Sequence, residues 1–233
     1  MAITLAPVAL PDFGPLGEQP QIPATTYAAR ADAALKAAGT DWLVVYADRE
    51  HFGNIMHLSG FEPRFEEALL LLGKGGKRVI ITGNESESYT VLAGLPDIEV
   101  LRAQSFSLMG QDRSQNPRLA DRLKDAGIKA GDSIGLVGWK YLSAEEDDDY
   151  AQSFFVPDFI VKVLSRVISG EGRLIDRTEV LMHPETKPAR RGRCRPARRL
   201  RMGCGALLDG ALACRLRRSR RRYGIRSARA ARL

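Results

Sequence analysis

The three histidines are the side chains best suited to proton transfer or metal binding, and their spacing does not favour a metal. His51 and His57 lie six residues apart, whereas two ligands on one helical face need i and i+4; His183 is distant from both. All three are read as core, loop or interface residues. Cys194, Cys204 and Cys214 recur every ten residues without the close Cys pairs of a zinc site. Gly73-Lys74-Gly75-Gly76-Lys77 is too short for a phosphate-binding loop and lacks a following Ser or Thr and helix. Its flanks are strand-like, so it reads as a hairpin turn. Glu145, Glu146 and Asp147-Asp148-Asp149 are consecutive, unlike the spaced ligands of a calcium loop, and read as a solvated acidic turn. No nucleophile elbow or Ser/His/Asp arrangement is present. No catalytic residue, metal ligand or cofactor is therefore assigned to this chain.

Any such residue has to be held by a scaffold, and the apolar pattern predicts one. Tyr27, Ala31, Ala34, Leu35 and Ala38 have helical spacing over 26–38, ended by Gly39. Trp42 to Tyr46 and Ser133 to Gly138 are short apolar runs suited to strands covered on both faces. Ala68–Leu72 and Arg78–Thr82 flank the Gly-Lys turn as a hairpin. Ile98 to Leu101 is a further strand. Short helices are expected at 86–93 and 117–126, and Ser143 with Glu146 has the form of a capping box opening another. Ile160, Val163, Leu164, Val167 and Ile168 give the helix at 157–169 one apolar face. Alternating strands and helices with one hairpin define a three-layer α/β domain with a mixed sheet.

Charge divides the chain. Its 233 residues carry a net charge of +7, but residues 1–187 sum to −8 and residues 188–233 to +15. The basic isoelectric point near 9.5 thus belongs to the last 46 residues, and the whole chain is not a basic nucleic-acid binder. That tail holds 16 Arg and no Lys. Arg, Ala, Gly and Pro make up 31 of its 46 residues, about twice their share before it. All four have codons beginning with two G or C bases, which predicts GC-rich DNA read out of frame after a frameshift near 185–190. The rival is a disordered Arg-rich tail that binds RNA, DNA or acidic lipid. Either tail binds nucleic acid non-specifically through charge. Pro7, Pro11, Pro15, Pro20 and Pro23 predict an extended arm over 1–25. No apolar run reaches the ~20 residues of a membrane span. Cysteines confined to the tail fit a reducing, cytoplasmic setting.

The most distinctive stretch is "WLVVYADREHFGNIMHLSGFEPRFEEALLLLG", followed by "RVIITGNESESY". With the opening "YAARADAALKAAGTDWLVVY", the helix "FIVKVLSRVI" and the closing "LMHPE", it resembles the N-terminal domain of the creatinase and Xaa-Pro aminopeptidase (prolidase-like, M24) metallopeptidase family. The resemblance spans residues 26–185. It implies an α/β domain that is not itself catalytic and packs beside a second domain or across a subunit interface. In that family the second domain supplies two Asp, one His and two Glu to two divalent metals, which activate a water for amide hydrolysis; the creatinase branch uses the fold without them. Residues 188–233 have one carboxylate side chain, Asp209, and no histidine, so no metal ligand is carried over.

In some relatives the loop after the first strand reaches a neighbouring subunit's active site. By resemblance, Phe61 and Arg64 are the candidates for a substrate-rim or interface role; otherwise Phe61 belongs to the core and Arg64 bridges to Glu66 or Glu67. The expected organisation is an arm (1–25), the α/β domain (26–185) and the Arg-rich tail (186–233). The expected function is a non-catalytic fragment of a metal-dependent Xaa-Pro hydrolase, in a homo-oligomer or with a complete paralogue. The alternatives are an oligomerisation or regulatory module for that paralogue, and polyanion binding through the tail.

Overall fold

The computed structural model of the chain describes residues 22–114 and 116–182. The N-terminal arm up to residue 21, His183, the closing 183–185 and the Arg-rich tail with its three cysteines lie outside the described residues.

Six strands form one sheet: β1 (Trp42–Ala47), β2 (Ala68–Gly73), β3 (Lys77–Thr82), β4 (Glu99–Arg102), β5 (Ser133–Val137) and β6 (Arg173–Asp176). Their order is β4-β3-β2-β1-β5-β6. β2 runs antiparallel to both neighbours, while β3–β4, β1–β5 and β5–β6 are parallel. The sheet is therefore mixed, with β2 as its one reversed strand.

Strand alternation sends side chains into two cores. Trp42, Val44, Tyr46, Leu69, Leu71, Val79, Ile81, Ile134 and Leu136 face one. Leu43, Val45, Ala47, Leu70, Leu72, Ile80 and Val137 face the other. The second core is closed by α1 (Ala24–Ala38) and α2 (Gly53–Ser59) through Ala31, Ala34, Ile55 and Leu58. The first is closed by α4 (Leu119–Ala126) and α5 (Asp158–Val167) through Leu119, Leu123, Ile160 and Val163. Between them in sequence, the single-turn α3 (Asn84–Glu87) follows β3. The three-layer α/β architecture is the one the sequence predicts.

The Gly-Lys segment is a hairpin turn, as its flanks require. Gly75 and Gly76 have φ of 75° and 81°, which side chains resist and glycine accepts. Three local expectations change. The capping-box residues do meet, with the Ser143 amide donating to Glu146 Oε2 at 3.0 Å, but turns rather than a helix follow, since a helix would set Glu145 and Glu146 against Asp149 at i,i+4 and i,i+3 spacing. α2 occupies part of a stretch without an assigned element. β6 is a four-residue strand bracketed by Arg173 and Asp176, too short to give a period.

Candidate functional site

β1, β3 and β5 end, and β2 begins, along one edge of the sheet. The links there carry Asp48 to His51, Glu62 to Glu67, and Gly138 to Lys140. All the aromatic ring pairs found among the described residues lie at this edge.

Asp48 organises the link after β1. One carboxylate oxygen accepts from the amides of Glu50 (2.8 Å) and His51 (2.7 Å). Both oxygens lie 3.0 Å from His51 Nδ1. Burial alone would raise this carboxyl's pKa, but the hydrogen bonds from His51 and Glu50 outweigh it and hold the pKa below its ordinary value. The imidazole stacks on Trp139 with centroids 4.8 Å apart, and Trp139 meets Tyr46 and Phe155 at 6.1 Å each. The Tyr46 hydroxyl lies 3.2 Å from Asp48 Oδ2 and 3.4 Å from Glu67 Oε1, so one proton serves two carboxylates. Burial, then the charges of Glu67 and Asp48, push the phenol well above its usual range. Burial likewise raises Glu67. Tyr46 thus keeps its proton, and its hydroxyl ties the link after β1 to the start of β2.

The link before β2 is pinned from beneath. Glu66 is buried, and its carboxylate accepts from the amides of Glu85 (3.1 Å) and Ser86 (2.7 Å) at the start of α3. The Glu66 amide bonds the Pro63 carbonyl, which also accepts from the Ser86 hydroxyl. Arg64 sits between these anchors at φ 62°, a left-handed conformation costly for a residue with a Cβ. Its guanidinium lies 5.5 Å over the Tyr89 ring. Phe65 beside it is 57% exposed. Across a shallow cleft of about 390 Å³ stand Leu108 and Met109, the latter 88% exposed.

Of the two residues singled out by resemblance, Arg64 is at the surface, over Tyr89 rather than paired with Glu66 or Glu67. Phe61 is 1% exposed and packs in the core beneath α1 and α2, so it supports the bend without facing solvent. His51 lies in the site; His57 lies on α2, its carbonyl accepting from Arg30 at 2.9 Å. Asp147 to Asp149 are exposed and turn on themselves, the Asp149 amide bonding Asp147 Oδ1 at 2.9 Å. Among the described residues, no group of three or more His, Cys, Asp or Glu is placed to hold a metal ion. No helix among them is long and apolar enough to cross a membrane. Sequence reading missed Tyr46, Glu67 and Trp139. An aromatic just past a buried strand, as Trp139 follows β5, is the signal that could have found one of them.

No protein-family model matches the chain, and no curated protein matches it significantly. Solved structures do. The N-terminal, creatinase/prolidase-like domain of a protein described as a metallopeptidase from Corynebacterium diphtheriae is 20% identical. The match covers 64% of this chain and 94% of that one, with a TM-score of 0.41. A Streptococcus thermophilus structure described as aminopeptidase P is 17% identical, over 68% of this chain and 95% of that one, at 0.41. The dipeptidase PepE from Mycobacterium ulcerans is 16% identical, over 70% of this chain, at 0.43; the match spans only 37% of that enzyme.

Proposed function

We propose that residues 26–182 form a non-catalytic N-terminal domain of the creatinase and Xaa-Pro aminopeptidase type. Its carboxyl edge is the face that meets a second domain or subunit of a metal-dependent hydrolase. The observation that carries this reading is the pinned bend: Glu66 is buried to hold Arg64 at positive φ and Phe65 in water. Backbone strain of this kind costs on the order of 1–3 kcal/mol, and half-exposing a phenylalanine forgoes further burial. A partner that covers the bend recovers the burial of Phe65 and meets the Arg64 side chain that the strained backbone presents. Arg64 is suited to the rim of a substrate site there, because its planar fork grips a carboxylate in two bonds. The sequence resemblance of Asp48 to Glu67 supports the same face.

Two measurements test this. Purified chain is assayed with an Xaa-Pro peptide and added manganese or cobalt; no turnover is expected, and sustained hydrolysis would overturn the non-catalytic reading. The encoding DNA is then translated in three frames beyond codon 180. An alternative frame with spaced Asp, Asp, His, Glu and Glu is expected. Its absence would overturn the fragment reading and turn attention to the tail.

A further inference from the structure

A second cavity lies on the α4 and α5 face of the sheet, and shares the link after β4 with the first cleft. It opens between α4, α5 and the link after β4, and holds about 440 Å³, within the roughly 300–1,000 Å³ of small-molecule sites. Leu119, Val163 and Val167 are buried and form an apolar floor, and Phe159 stands exposed at the mouth.

Its charge is one-sided. Arg113, Arg118, Lys124 and Arg166 line it, and no carboxylate does. The carboxylates of α4 and α5 are engaged with other groups. Asp125 pairs with Arg122 at 3.0 Å, Asp158 with Lys162 at 2.6 Å, and Asp121 accepts from the Arg118 amide at 3.2 Å. Among the described residues Lys124 has no ion pair, and Arg166 spends only its Nε, on the Lys162 carbonyl at 3.2 Å. All four are exposed at its rim, and like charges lining one cleft raise the local concentration of counter-ions.

A further feature favours an anion. The lining includes Leu119 and Ala120, the first residues of α4, whose amides have no carbonyl one turn back to bond.

We propose that this cavity binds a small organic phosphate carrying an apolar or aromatic body. The phosphate is held by Lys124, Arg166 and the amides at the start of α4, fork-shaped and point-charge donors that line the same cavity. The apolar body lies over Val163 and Val167 against Phe159.

The test uses the full chain and 1-naphthyl phosphate as probe, by titration calorimetry at about 150 mM salt, where exposed charges are screened beyond ~8 Å. Lys124→Gln and Arg166→Gln are each expected to weaken binding at least tenfold. Lys162→Gln removes the same charge from α5 outside the lining and is expected to leave binding within twofold. 1-Naphthalenemethanol and inorganic phosphate are each expected to bind at least tenfold more weakly than the probe. The Arg-rich tail is common to every variant, so equal binding by all of them assigns the affinity to the tail and overturns the site. No binding by the wild type overturns it as well. Equal affinity for the neutral alcohol removes the anion requirement, and equal affinity for inorganic phosphate removes the apolar one; either result overturns the proposal as stated. Thermal midpoints of the variants within a few degrees of wild type confirm that folding is intact, since both substituted side chains are exposed.

Discussion

Glu66 shows how one side chain can be read two ways. In the sequence it is one of two adjacent acids and a natural partner for Arg64. In the structure it is buried, and it satisfies two amides of α3 that the helix itself leaves open. Nothing in a run of Phe-Glu-Glu distinguishes the buried acid from the half-buried one; the distinction comes from Gly83, between β3 and α3, lying against it. A Cβ on Gly83 would stand 2.2 Å from Glu66 Oε1. Gly83→Ala is therefore expected to drive the carboxylate off both amides and cost about 2–3 kcal/mol, read from the denaturant midpoint. A loss below about 0.5 kcal/mol, the usual effect of a neutral surface change, would show that Glu66 does not anchor the bend. The same reasoning explains Phe61 and Arg64. They lie on one link, and which side chain faces water depends on the helices packed below it.

At the scale of elements, periodicity carried most of the fold. Buried strands β1, β2, β3 and β5 and helices α1 and α5 have apolar runs or stripes long enough to fix their type. The sheet order is not contained in those runs. It depends on ties such as Asp41, just before β1, whose carboxylate accepts from the Ser133 amide (2.9 Å) and hydroxyl (2.6 Å) and pairs with Lys74. This clamps the starts of β1 and β5 to the end of β2 across 92 residues of chain. Lys74, then the Ser133 hydroxyl and amide, hold the Asp41 carboxyl well below its usual value. Its contribution is thus complete above the unfolded value of about 3.9 and fades as pH falls through the lower folded one. Asp41→Asn is expected to be less stable than wild type at pH 7, with the difference shrinking below about pH 4. A difference independent of pH in denaturant titrations would rule out this ionic role. Glu67 and Asp176 act with the opposite sign. Burial raises both, so each favours folding more as pH falls through its folded value, partly offsetting the Asp41 loss in mild acid.

At the scale of the whole molecule, both faces of the sheet are covered by helices, and the carboxyl edge keeps Phe65, Leu108 and Met109 in water. If that edge is a contact face, the chain should self-associate through it when no partner is present. Phe65→Asp is expected to raise the monomer fraction in sedimentation velocity at high concentration while changing stability by less than about 0.5 kcal/mol; unchanged association would place the contact elsewhere. The reversal of β2 also has a bearing on synthesis. β1, β2 and β3 are consecutive in the chain and can pair as soon as Thr82 is made. β1 then has one flank open until β5 arrives some 50 residues later, and the pairing that closes it is of high contact order. On the ribosome, the strand that ends at the centre of the sheet is for a time its unprotected edge. Pulse-labelled hydrogen exchange during refolding should therefore protect β2 and β3 amides before those of β5. The nascent half-sheet is the species a chaperone would have to shield.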